Sequence, residues 1–185
     1  TTRSIEDLVP KNASVVLSIN SLEGFLSAID NNALLSKAGV FESFKKALKP
    51  LDSIKSLSPL LVSINKDGAS KAFTFITHKR NLNSKDTLLI PHITIDSILV
   101  ASTSKAILEP LKTQLSSDYS NISKLHQNTN TFSVYCKTFP ALNSVQELNL
   151  ESVYFGFDVT PETITINGTL LNQKLQSKWL TLFES

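Results

Sequence analysis

No methionine occurs anywhere in this chain, not even at position 1, so it reads as a processed or excised piece of a longer polypeptide. A single cysteine, Cys136, excludes an internal disulfide; its place in the alternation Phe132, Val134, Cys136 marks it as a small buried hydrophobe. The five glycines (Gly24, Gly39, Gly68, Gly156, Gly168) stand singly, which leaves neither a phosphate-cradling loop nor a dinucleotide fingerprint. There is no Gly-x-Ser-x-Gly elbow, and nothing beside Cys136 supplies a base, so nucleophilic catalysis finds no support. Apolar runs stop at four or five residues, against the ~20 a bilayer-crossing helix needs, and any signal sequence is expected to have been removed before Thr1.

Charge is scarce as well. Charged residues make up 18% of the chain and the net charge is +2, against roughly 25% charged in an average soluble domain, so no electrostatic footprint for nucleic acid is present. Ser, Thr and Asn together number 55 of 185 residues. Hydroxyl and amide groups therefore supply the polarity, a habit common among exported and envelope proteins. The three histidines, His78, His92 and His126, have spacings that match no metal-ligand pattern, and no cofactor is indicated. His78-Lys79-Arg80 is the one small basic cluster, a candidate contact for a phosphate or lipid headgroup. Carboxylate pairs such as Glu6-Asp7 lie in polar surface segments, and a pair such as Asp96 with Asp158 would have to meet across the fold.

What the chain does contain is rhythm. Val15, Val16, Leu17 and Ile19 form a short apolar strand that turns at Asn20-Ser21 into a helix. Its residues Leu22, Phe25, Leu26 and Ile29 share one face, and Asn20 or Ser21 can accept the free amides of the first turn. Phe41, Phe44 and Leu48 stripe a further helix that Pro50 stops. The strand-to-helix figure is expected twice more. One return runs from Ile98–Ala101 into Ile107, Leu108, Leu111 and Leu115, where Pro110 forces a kink or a start near Glu109. The other runs from Phe132–Cys136 into a helix with Pro140 early and Phe139, Leu142 and Val145 inward. Ser116–Asn121 reads as loop.

From Leu60 the period drops to 2. Leu60, Val62 and Ile64 alternate with small polar residues, Lys66-Asp67-Gly68 turns, and Lys71–His78 returns as a hairpin. Thr87–Ile90 reads as further strand. The clearest pair is Val153–Val159 with Ile164–Leu170, joined by Thr160-Pro161-Glu162. Its oily face belongs on a core, and its hydroxylic face, Thr163, Thr165, Asn167 and Thr169, belongs in water.

The fold class is therefore α+β: a mainly antiparallel sheet, helices on one face, and the strand-helix figure repeated about three times. Residues 1–185 form one domain, with 1–97 and 98–185 as its candidate halves.

The residues Leu8-Val9-Pro10-Lys11-Asn12-Ala13-Ser14-Val15-Val16-Leu17-Ser18-Ile19-Asn20-Ser21-Leu22 resemble the opening of a family of exported, largely uncharacterised bacterial envelope proteins, and Tyr154–Leu171 is similar to that family's closing strands. The resemblance implies an exported location, periplasmic or anchored at the outer membrane, and a domain that leads a longer chain. It carries over no catalytic residues. The functional expectation is a non-enzymatic envelope domain for binding or assembly, its protein partner held at the hydroxylic face or the adjoining sheet edge. The alternative is a carrier of lipid or another apolar ligand in a cavity between the sheet and the helices bearing Phe25, Phe41 and Phe44.

Overall fold

In the computed structural model, residues 2–37, 40–51, 58–81, 88–125, 129–137 and 152–171 are described. The third strand-to-helix return falls on 138–151, and His126 and the apolar end around Trp179 also lie outside the described residues. One antiparallel sheet organises the rest. Its strands are β1 (Ala13–Ile19), β2 (Leu60–Asp67), β3 (Ser70–His78), β4 (His92–Ile95), β5 (Ile98–Ser102), β6 (Phe132–Cys136), β7 (Ser152–Val159) and β8 (Ile164–Leu171), in the order β4-β5-β3-β2-β1-β6-β7-β8. The sheet thus runs unbroken across the candidate halves, with β1 in the middle and β4 and β8 outermost.

Local chemistry accounts for the elements. Ser21 caps α1 (Leu22–Asn31) by accepting the Gly24 amide at 3.3 Å, one of the donors a helix start leaves free. Gly68, at φ +59°, takes the left-handed position in the β2–β3 turn. The helix after β5, α3 (Lys105–Leu111), holds Pro110 in its last turn rather than starting near it. It follows β5 after two residues, as α1 follows β1, and it ends before Leu115, which is 81% exposed and not inward as its spacing predicts; the third expected occurrence lies outside the described residues. Where a loop is expected, Ser117 accepts the Ser120 amide and opens α4 (Asp118–Ser123). Residues 88–90 precede the strand instead of forming it; β4 begins at His92.

The helices cover both faces of the sheet, not one. On the first face, α1 and α2 (Val40–Leu48) pack Phe25, Ile29 and Leu48 against Ile19, Val62, Phe75 and Phe132. On the second, the Glu6–Leu8 turn, α3 and α4 pack Leu8, Leu108, Leu111 and Tyr119 against Val16, Leu61, Ile76, Tyr135 and Tyr154. The one-face expectation fails because small polar residues alternating with apolar ones look solvent-facing, whereas here they are buried and bonded to one another. Asn65 Nδ2 donates to Thr74 Oγ1 at 2.8 Å, and the Thr74 and Ser102 hydroxyls lie 3.1 Å apart. Tyr154 donates to Ser133 Oγ at 2.9 Å. A buried hydroxyl with a partner carries little penalty; one without costs about 1–3 kcal/mol.

The N-terminal segment is tied onto this second face by long-range bonds. Gln114 Nε2 donates to the carbonyls of Asp7 and Val9, both at 2.7 Å, and Ser117 Oγ donates to the Glu6 carbonyl at 2.7 Å. Beneath it Tyr119 is 3% exposed. Burial pushes its hydroxyl well above the ordinary tyrosine value, outweighing hydrogen bonds to Ser18 and Ser133. Because the folded value is raised, the stabilisation is complete below pH ~10 and is lost as pH rises beyond it, where the unfolded chain ionises and the buried ring does not. Urea midpoints are therefore expected to fall between pH ~9.5 and ~11.5 more steeply in the native chain than in Tyr119→Phe. Equal slopes would show that another group sets the alkaline limit.

Candidate functional site

The sheet ends unevenly, and the uneven end carries the candidate surface. Among the described residues, the apolar layer under α1 and α2 reaches to Phe157 and Val159 of β7. Beyond it β8 lies paired on one side to β7, from Val159↔Ile164 through Ser152↔Leu171, without a register shift. Among the described residues no strand lies on its other side. The oily face expected to sit on a core is consequently open: Ile166 is 56% exposed and Leu170 52%.

The hydroxylic face is where the alternation puts it. Thr165 stands opposite Asp158, Asn167 opposite Gly156 and Thr169 opposite Tyr154. Thr165 and Asn167 are exposed and Thr169 is partly so. Thr163 is not on the strand: its amide donates to Thr160 Oγ1 at 3.0 Å, and its carbonyl accepts the Thr160 amide at 3.0 Å, so it closes the β7–β8 turn. The neighbouring carboxylate is already engaged, since Asp158 accepts from Asn130 Nδ2 at 2.8 Å and from the Thr131 amide at 3.2 Å. Gly168 faces the Phe155 ring so closely that an added Cβ would come within 2.6 Å of two ring carbons; here glycine is required by close approach.

Two positioning residues escape sequence inspection. Asn32, 1% exposed, sits just past α1 and donates from Nδ2 to the carbonyls of Thr160 at 2.6 Å and Thr163 at 3.4 Å. Its Oδ1 accepts the amides of Leu34 and Leu35 at 3.1 and 3.0 Å. It therefore locks the turn that feeds β8 to the end of a core helix. Asn130 ties β7, through Asp158, to the segment that leads into β6.

The other candidates do not converge on this edge. His78 ends β3, and Lys79 and Arg80 sit exposed on the following 3-10 turn, a solvated cluster on the far side of β1. His78 pairs with Ile98 and His92 with Ala101, consecutive-face positions of β5 that put the two rings on opposite sides of the sheet. Among the described residues no three His, Cys, Asp or Glu side chains gather. Asp96 is drawn to Arg3 at 3.1 Å, near the β4 edge, with Asp158 at the other end of the sheet. Cys136 is half-buried, and burial pushes its thiol up, away from the reactive thiolate.

Between the sheet and the helices, Phe25 meets Phe41, Phe44 and Phe132 edge-on at centroid distances of 5.7, 5.6 and 5.1 Å. A cleft of about 420 Å³ opens elsewhere, between residues 10–12 and α3, with Lys11, Asn12, Thr113 and Gln114 among its walls. Among the described residues no helix is long and apolar enough to cross a membrane. No protein-family model, curated protein or solved structure matches the chain, so the edge is interpreted from its own chemistry.

Proposed function

We propose that this chain is a non-enzymatic binding or assembly domain that accepts an extended segment of a protein partner along the outer side of β8. The observation that carries the reading is an uncharged, regular strand of eight residues, bounded by Ile164 and Leu171, at the open end of the sheet, exposed on both faces. An outermost strand offers a row of unpaired N–H and C=O groups, and natural sheets blunt such rows with charge, proline or bulges unless pairing is wanted. Main-chain bonds then supply affinity, and side chains at alternate positions supply selectivity. The resemblance at Leu8–Leu22 motivates placing this activity in the cell envelope, which fractionation of the native host protein would test.

Thr165→Lys should reduce partner capture at least tenfold in a pull-down while leaving the melting temperature unchanged, because Thr165 is exposed and makes no tertiary hydrogen bond among the described residues. Thr94→Lys, on β4 at the opposite sheet edge, should leave capture intact. Capture that survives Thr165→Lys would place the binding surface elsewhere.

A further inference from the structure

We propose that the occupant of the β8 edge is a second copy of this chain, its β8 running antiparallel to the first about a twofold axis at Gly168, so that two eight-stranded sheets join into one. This rests on the edge-binding reading above and names its partner.

Charge is the first argument. No side chain of Ile164–Leu171 is ionisable, and Asp158, the nearest carboxylate opposite it, is spent on Asn130 and Thr131. Two identical edges therefore approach without like-charge repulsion between the paired strands and without burying an unpaired charge. The other sheet edge differs: β4 has four residues and runs into Asp96, ion-paired to Arg3.

Register is the second argument. An axis at Gly168 sets Ile166 of one copy opposite Leu170 of the other, twice, and Asn167 opposite Thr169, so apolar meets apolar on one face and amide meets hydroxyl on the other. A slip of one residue would set Ile166 against Thr169 and mix the faces. Gly168 at the axis, overlain by the Phe155 ring of its own chain, keeps the crossing point free of a side chain.

Area sets the strength. An axis at Gly168 pairs residues 165–171 of the two copies, about 24 Å of strand, which gives less than the roughly 800 Å² per partner of a stable interface. The dimer is thus a concentration-dependent one and not an obligate pair.

Sedimentation velocity on the 185-residue chain, from low micromolar to near-millimolar concentration, tests this. A species of twice the 20.3 kDa chain mass should grow with concentration, and Ile166→Lys should weaken self-association at least tenfold. A nitroxide on Glu162→Cys, exposed in the β7–β8 turn outside the paired strand, in a Cys136→Ala background, should report a separation of about 40 Å, roughly twelve strand residues along the joined pair. A chain that stays monomeric throughout, a dimer indifferent to Ile166→Lys, or labels with no distance near about 40 Å would each overturn the proposal. In the monomeric case, capture still abolished by Thr165→Lys would leave the edge reading standing with a different protein as occupant; capture indifferent to Thr165→Lys would remove both.

Discussion

Replacing Phe25 with alanine is expected to lower the unfolding free energy by about 3–5 kcal/mol, a large share of the roughly 5–15 kcal/mol that holds an ordinary domain together. The ring is 1% exposed and stands where two helices meet the sheet, edge-on to Phe41 and Phe44 of α2 and to Phe132 of β6. Transfer of roughly 150–250 Å² from water at ~25 cal/mol per Å² accounts for about 4–6 kcal/mol as an upper bound. The surrounding rings belong to two different elements, α2 and β6, so they cannot all close on the void. Phe157, stacked on Phe132 at 4.6 Å but only partly buried, supplies the comparison. Phe157→Ala should cost clearly less, because part of that ring already faces water. Urea titrations with unchanged m-values would measure both losses. Equal midpoints for the two variants would mean that the aromatic cluster is not the centre of this face.

The parts of the fold legible in the sequence are those governed by neighbours along the chain. The β7–β8 pair follows from strict alternation on either side of Thr160-Pro161-Glu162, and the observed register from Val159↔Ile164 onward is the one that alternation requires. The β2–β3 hairpin follows in the same way from Lys66-Asp67-Gly68. Which faces are dry is a different matter. Ser63, Asn65, Thr74 and Ser102 have the composition of a wetted face, and only the proximity of four separated strand positions lets them satisfy one another in the interior. The openness of Ile166 and Leu170 is equally nonlocal, since it depends on how far the α1–α2 layer extends. The candidate edge was therefore legible as a hydroxylic strand, but not as one exposed on its oily side as well.

Asn32 is the sharpest case, and its replacement carries the second large effect. In Asp30-Asn31-Asn32 it looks like an ordinary helix breaker; its partners Thr160 and Thr163 lie 128 and 131 residues away. Asn32→Ala would strand the amides of Leu34 and Leu35 and the carbonyl of Thr160, each close to the buried end of α1. Even with partial rescue by water, the loss should be about 2–4 kcal/mol. Asn32→Asp separates hydrogen bonding from packing, because it preserves shape and the acceptor toward Leu34 and Leu35 while replacing a donor 2.6 Å from the Thr160 carbonyl with a negatively charged oxygen. At neutral pH the aspartate variant should therefore be at least as unstable as the alanine one. It should recover part of the loss below pH ~4, where a neutral carboxyl can again donate to that carbonyl. Hydrogen exchange would locate the damage: amides of Ile164–Leu171 and of the preceding turn should lose protection while those of β2 and β3 keep theirs. Edge capture should fall in parallel, since this side chain holds the turn that feeds the strand, in addition to the pairing of that strand with β7. An aspartate variant as stable as the native chain at pH 7 would show that Asn32 fills space without holding the turn, and β8 would then owe its position to β7 alone.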